Sequence, residues 1–321
     1  MDVASVLKIN KHPTLFKRFP EILSVTNTSK RQANWLVYGN HITTDNIDAI
    51  NDVGLSTIEI VAAWKVGSYD AILIASELTL AQQQVVLEQQ LDFAYVSDIP
   101  DLSMPGIVVL DMDSTAIEIE CIDEIAKLAG VGEEVAAVTE RAMSGELDFE
   151  QSLRQRVAAL AGADEAILTQ VRDQLPLMAE LPQLIATLHH YGWQVAIASG
   201  GFSYFSDHLQ QQFKLVSATS NTLEIIDGKL TGKILGKVVD AKAKAEILLA
   251  LAEEFDIEPH NTVAVGDGAN DLLMMEIAGL GIAYHAKPKV DQQADVAIRH
   301  ADLGAVICIL SASLAEQRLA W

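Results

Sequence analysis

The sequence predicts an α/β protein: a doubly wound parallel sheet that carries an inserted helical segment, preceded by a smaller α+β unit. Three observations predict it. Beyond residue 106, six short apolar runs are separated mostly by helical patterns, the alternation that builds a parallel sheet covered on both faces. Between the first two runs lie about eighty residues with helical periodicity and no strand signal. Before residue 97, strand and helix patterns alternate in a βαββαβ order.

The N-terminal elements fall at 35–38 (strand), 44–51 (helix), 56–61 and 71–74 (strands), 80–89 (helix) and 93–96 (strand). That order suggests a ferredoxin-like sheet with helices on one face. Residues 97–106 contain turn formers and two prolines, so they read as a linker, dividing the chain into 1–100 and 105–321. The later strands fall at 107–110, 194–198, 215–218, 262–265, 280–283 and 295–298, and a helix is expected over 272–278. The inserted helices are expected at 120–128, 133–143, 149–160 and 165–174, within a cap at about 119–180. A second insertion, 221–235, holds Asp227-Gly228 between apolar runs, the signature of a structural hairpin.

Bulk properties exclude several classes of function. A formal net charge of -22 opposes approach to nucleic acid or an anionic membrane. The two cysteines, Cys121 and Cys308, are far apart, and no leader pattern or apolar run of transmembrane length occurs, so a cytoplasmic location is expected. The eight histidines are scattered without i, i+4 pairing, and zinc is not expected.

Four places carry chemistry. The apolar strand 107–110 runs into Asp111-Met112-Asp113-Ser114-Thr115, and ligands of open α/β sheets gather at such carboxyl ends. Two neighbouring carboxylates can titrate apart, one staying anionic while the other carries a proton. Ser199-Gly200-Gly201 follows a second strand and offers a hydroxyl and glycine amides to a phosphate. Lys244 shares a helix face with Ile247, Leu248, Leu251 and Phe255, and an inward ammonium needs an anionic partner. Gly266-Asp267-Gly268-Ala269-Asn270-Asp271 follows a further strand, and its carboxylates suit Mg²⁺, a hard cation. Each has a plainer reading as well: a solvated turn, a glycine turn, a structural salt bridge and a helix cap, respectively.

Taken together and in this order, the four segments resemble the motifs of the haloacid dehalogenase superfamily of phosphotransfer enzymes, over about residue 106 to the C-terminus. The resemblance implies that Asp111 is the nucleophile and a Mg²⁺ ligand, and that Asp113 is the general acid and base and also on the metal. It implies that Ser199, Gly200, Lys244 and Asn270 hold the phosphoryl group, that Asp267 completes the carboxylates on the metal, and that Asp271 supports them. The helical insertion looks like that of the phosphoserine phosphatases. Glu120 matches the acid that receives the substrate amino group, Arg156 the arginine that pairs with its carboxylate, and Met143 and Phe149 the apolar residues that close over it. Glu118 is a lower-ranked alternative to Glu120. On the helical wheel Arg156 lies on the same face as Phe149, Leu153 and Leu160, whereas Arg154 points elsewhere. By itself that pattern fits a structural ion pair as well as a carboxylate clamp.

The implied activity is hydrolysis of phosphoserine, the last step of serine biosynthesis, with a small molecule as the partner. Residues 1–100 are similar to an ACT-type amino-acid-sensing module, with Gly39 as the position of interest; dimer formation or folding support is the alternative role. Two other functions stay open on sequence grounds: transfer of the phosphoryl group to an alcohol such as homoserine, and amino-acid binding by a catalytically vestigial chain.

Overall fold

The computed structural model describes residues 5–11 and 33–316. Its N-terminal part contains β1 (Ile9–Lys11), β2 (Trp35–Asn40), α1 (Thr44–Asp52), β3 (Ile60–Val66), β4 (Tyr69–Ile74), α2 (Leu80–Glu88) and β5 (Asp92–Tyr95). The strands form one antiparallel sheet in the order β1-β3-β4-β2-β5. Without β1 this is the ferredoxin-like order expected from the sequence. Both helices start at threonine capping boxes, Thr43 with Asn46 and Thr79 with Gln82. The strand expected at 56–61 instead runs from Ile60 to Val66, because it forms a tight hairpin with β4 across Gly67 and Ser68. A register shift between Ile60 and Ala62 interrupts the alternation that marks a strand in sequence.

The rest of the chain comprises β6 (Ile107–Leu110), the cap helices α3 (Cys121–Ala129), α4 (Gly132–Met143), α5 (Phe149–Ala159) and α6 (Ala166–Arg172), then α7 (Leu181–His190), β7 (Gln194–Phe202), α8 (Ser203–Phe213), β8 (Ser217–Ile226), β9 (Lys229–Leu235), α9 (Ala241–Glu254), β10 (Thr262–Gly266), α10 (Leu272–Ile277), β11 (Leu280–Tyr284), α11 (Pro288–Asp291), β12 (Val296–Ile298) and α12 (Ala305–Glu316). The sheet order is β12-β11-β10-β6-β7-β8-β9, parallel except for the β8/β9 hairpin. Strand order reverses between β6 and β10, so the carboxyl ends of these two adjacent strands form the crevice of a doubly wound sheet. Every residue of β6 is buried, as its unbroken apolar run requires. The expected hairpin turn is present, with Asp227 at φ 50° and Gly228 at φ 72°. The hairpin also braces the cap: the amides of Gly162 and Glu165 donate to the carbonyls of Leu230 and Gly228, and Leu230 donates back to Ala163.

Residues 97–106 are packed down rather than tethering two loose bodies. Leu102 is buried, and the Asn261 side chain accepts from the Asp101 amide and donates to the carbonyls of Asp101 and Pro105. One face of the N-terminal sheet lies under α1 and α2; the other packs on α12, an almost wholly buried helix. Trp64 Nε1 donates to Ser311 on α12 at 2.8 Å. At the edge, the buried Asp92 carboxylate accepts the amides of Arg299, His300 and Ala301 at 2.9–3.0 Å. Asp92→Asn points an amide donor at these donors and is expected to lower Tm by about 5 °C, through lost charge-assisted bonds of about 2–3 kcal/mol. Thermal melting monitored by circular dichroism checks this; an unchanged Tm would mean the contact holds nothing.

Candidate active site

The site grows from the reversal point of the sheet. The Asp111 amide extends the β6/β10 ladder by donating to Val265 at 2.9 Å, which fixes Asp111 at the strand terminus. Its Oδ1 accepts the Met112 amide at 2.7 Å and faces the Lys244 ammonium at 2.8 Å. Beyond it the chain turns sharply: the amides of Thr115, Ala116 and Ile117 all donate to the Met112 carbonyl, and Ser114 adopts φ 57°. This turn brings Asp113 back over the same cavity as Asp111.

Lys244 is fully buried on α9, as its apolar helix face predicts. Its ammonium sits between Asp111 Oδ1 and Asp271 Oδ1, the latter at 2.6 Å. Burial acts to lower its pKa, but the two carboxylates outweigh burial and the net direction is upward, so it stays charged. Asp271 also accepts the Gly268 amide at 3.0 Å and lies so close over Gly266 that a Cβ there would overlap its carboxyl group. Ser199 is buried within β7, where its Oγ accepts the Gly201 amide at 2.9 Å. A Cβ on Gly201 would come within 2.8 Å of Asp113 Oδ2, so only glycine leaves that carboxylate its place.

Carboxylates crowd this space. Burial first, then Glu120 and Asp111, raises the Asp113 pKa well above the usual carboxylate range, and one Asp113 oxygen is buried without a hydrogen-bond partner. Asp267 is pushed up to about 7 by burial and by Asp111 and Asp271. Asp271 is pushed up to about 6 by burial and Asp111, against the opposing effect of Lys244. Oxygen atoms of Asp111, Asp267 and Asp271 all lie within 4.8 Å of one another. Three mutually repelling hard oxygen donors fit a bound metal ion, which would relieve the repulsion that raises these pKa values. Asp113, expected on the metal, contributes no side-chain oxygen to this trio; Asp271, expected only as support, does.

Directly above is a cavity of about 200 Å³, lined on its cap side by Glu120, Ile122, Phe149, Leu153 and Arg156. Glu120 accepts from Ser114 Oγ at 3.0 Å and is open to solvent at its outer edge. The protein around its carboxylate and the charge of Asp111 nonetheless raise its pKa. Arg156 is half-buried, and its Nε has no hydrogen-bond partner. Burial lowers its pKa, opposed by Glu120, Asp123 and Asp113. Arg154, by contrast, pairs with Glu150 on the outer surface at 2.7 Å. Asn270 also lines the cavity, but Met143 is 73% exposed and lines an outer groove with Phe149 and Arg156 instead. Glu118 is exposed and outside the cavity lining, whereas Gly39 lies in a separate polar cleft at the domain junction, with Asn46, Tyr69, Gln89 and His300.

Sequence reasoning missed two residues. Asn221 is buried and clamps the Gly200 carbonyl at 2.8 Å while accepting the Val239 amide at 2.9 Å. Asn221 opens the segment expected as an insertion, 221–235, and no local pattern marks it. Lys287, in the turn after β11, lines the cavity with no local pattern to announce it.

Comparison with known proteins places this architecture. The haloacid dehalogenase-like hydrolase profile matches residues 105–279, and a domain of unknown function (DUF5609) matches residues 31–95. The phosphoserine phosphatase of Vibrio cholerae serotype O1 is 59% identical over 322 aligned residues, covering 100% of this chain and 98% of that protein. The phosphoserine phosphatase of Haemophilus influenzae is 50% identical over 279 residues, 87% of this chain and 89% of the relative. The crystal structure of a probable phosphoserine phosphatase from Vibrio cholerae, in unliganded form, superposes with a TM-score of 0.93 at 58% identity, with full coverage of both chains. The chain therefore belongs to the phosphoserine phosphatase family of haloacid dehalogenase-like hydrolases.

Proposed function

We propose that the chain hydrolyses O-phosphoserine to serine and inorganic phosphate, the last step of serine biosynthesis, through a phosphoaspartyl intermediate on Asp111. The observation that carries the assignment is the shape of the inner cavity. It has Asp111 and Asp113 at its floor and one acid and one base, Glu120 and Arg156, on its cap wall. The wall matches the ammonium and carboxylate of an amino acid, and the floor matches phosphoryl transfer.

In the first step an Asp111 carboxylate oxygen bonds to phosphorus as the bond from phosphorus to the serine oxygen breaks. Asp113, whose pKa burial, Glu120 and Asp111 raise, gives its proton to the serine oxygen. In the second step Asp113 takes a proton from water, the water oxygen bonds to phosphorus, and the bond to Asp111 breaks to release phosphate. Ser199, the Gly200 backbone, Lys244 and Asn270 hold the phosphoryl oxygens, while Phe149 and, once the cap closes, Met143 exclude water. Asp111, Asp267 and Asp271 would hold Mg²⁺, which would supply neutralisation of charge on the phosphoryl oxygens.

The partner is a small molecule. No helix among the described residues is long and apolar enough to cross a membrane, and both cysteines are free and buried, in keeping with a cytoplasmic location. A homodimer through residues 1–100 would use the outer surfaces of α1 and α2, since α12 covers the opposite sheet face.

Asp111→Asn is expected to abolish phosphate release from phosphoserine and any trapped acyl phosphate; retained turnover would remove the nucleophile assignment. Arg156→Ala is expected to raise KM for phosphoserine by about 100-fold and to leave KM for O-phosphoethanolamine, which lacks the carboxylate, within about twofold. Equal losses on both substrates would make Arg156 structural. The metal assignment predicts a pH dependence of stability. Asp267 and Asp271 have folded-state pKa values of about 7 and about 6, above their unfolded values. In the metal-free protein their stabilising contribution is therefore full at low pH and lost as pH rises through those values. Mg²⁺ requires the deprotonated carboxylates. At about 100 times its Kd it is expected to raise Tm by about 5 °C at pH 8 and by much less at pH 5. A shift equal at both pH values would place the ion elsewhere.

A further inference from the structure

The inner cavity adjoins an open groove of about 710 Å³, and five residues line both: Phe149, Arg156, Ala269, Asn270 and Lys287. The groove runs outward past Met143, Leu147 and Leu273, a largely apolar surface. A phosphate ester reaching Asp111 by this route meets an unfavourable field. The chain carries a formal net charge of -22, and four carboxylates, those of Asp111, Asp113, Glu120 and Asp267, line the inner cavity.

The cations nearby are not equally available. Lys244 is buried beneath the floor and held by two carboxylates. Lys242, on the groove wall, lies 3.6 Å from Glu246. Arg156 is half-buried in the cap wall. Lys287 is exposed, sits at the boundary of the two spaces and has no ion-pair partner among the described residues. Its backbone is fixed as the cap of α11, its carbonyl accepting the amides of Val290 and Asp291 at 2.9 and 3.0 Å, with Pro288 next. The anchor is therefore rigid and the four-carbon stem free, an arrangement suited to reaching outward and following an anion inward.

From this juxtaposition we infer that Lys287 is a positioning residue that captures the phosphate group of the incoming ester at the groove boundary and delivers it to Asp111. The inference rests on the phosphatase reading above. Its charge acts within roughly 10 Å at physiological salt, so it acts at the mouth of the cavity and not across the molecule.

The test is steady-state kinetics of the full chain with Mg²⁺, comparing wild type, Lys287→Gln and Lys287→Arg from about 20 to about 500 mM KCl. At low salt Lys287→Gln is expected to lower kcat/KM for phosphoserine about fivefold through KM, with kcat within about twofold. The gap should close at high salt, and Lys287→Arg should restore most of the loss. O-Phosphoethanolamine should lose the same factor, because the captured group is the phosphate. Wild-type kcat/KM and salt dependence in Lys287→Gln would overturn the inference, as would a loss confined to phosphoserine or residing in kcat. Calorimetric binding of inorganic phosphate separates the two readings. If wild type fails to hydrolyse phosphoserine, the substrate assignment falls, while weaker phosphate binding by Lys287→Gln still supports capture and equal binding removes it.

Discussion

The structure of the site depends on one buried ammonium. Lys244 contacts Asp111 at 2.8 Å and Asp271 at 2.6 Å with no exposure to solvent. A lone charge in that position would be prohibitively costly, and so would either buried carboxylate without it. The triad therefore ties α9 to the loops that leave β6 and β10, joining Asp111 to two residues more than a hundred positions later in the sequence. It also sets the state of its members, since Lys244 draws Asp271 toward ionisation while Asp111 and burial oppose it.

Around that triad the fold concentrates negative charge beyond what one lysine can balance. Asp113, Asp267 and Glu120 all have raised pKa values, each from burial first and then from neighbouring carboxylates. An array of this kind is unfavourable until positive charge arrives, and a bound metal ion would meet the carboxylate trio's need. The same crowding is useful to phosphoryl transfer, because it separates a carboxylate able to hold a proton from one that attacks. The glycines nearby serve close approach: Gly201 leaves room for Asp113, and Gly266 for Asp271.

The N-terminal sheet and α12 are bound into one packing unit. The β8/β9 hairpin braces the cap from the side through backbone bonds to the loop after α5. The N-terminal sheet, meanwhile, rests on α12, so its second face is completed by the opposite end of the sequence. Tyr69 Oη reaches across the same junction, donating to Glu180 at 2.7 Å and accepting the Asp302 amide at 3.2 Å.

The sequence by itself determined the parts whose signals are local. Apolar runs ending in acidic or glycine-rich turns located β6, β7 and β10 and the residues at their ends. Helical periodicity located the cap and turned Lys244 inward and Arg154 outward. Asp227-Gly228 located the hairpin, because its turn chemistry is written in adjacent residues. Only the tertiary structure decided what depends on which strands become neighbours. It put Asp271 rather than Asp113 among the carboxylates that converge with Asp111 and Asp267, and it left Met143 out in the groove. It drew Asn221 under Gly200 and Lys287 to the cavity mouth, and laid α12 beneath the N-terminal sheet. Periodicity reports which face of an element is buried, but not against what; that partner is chosen by long-range packing, which no short window of sequence contains.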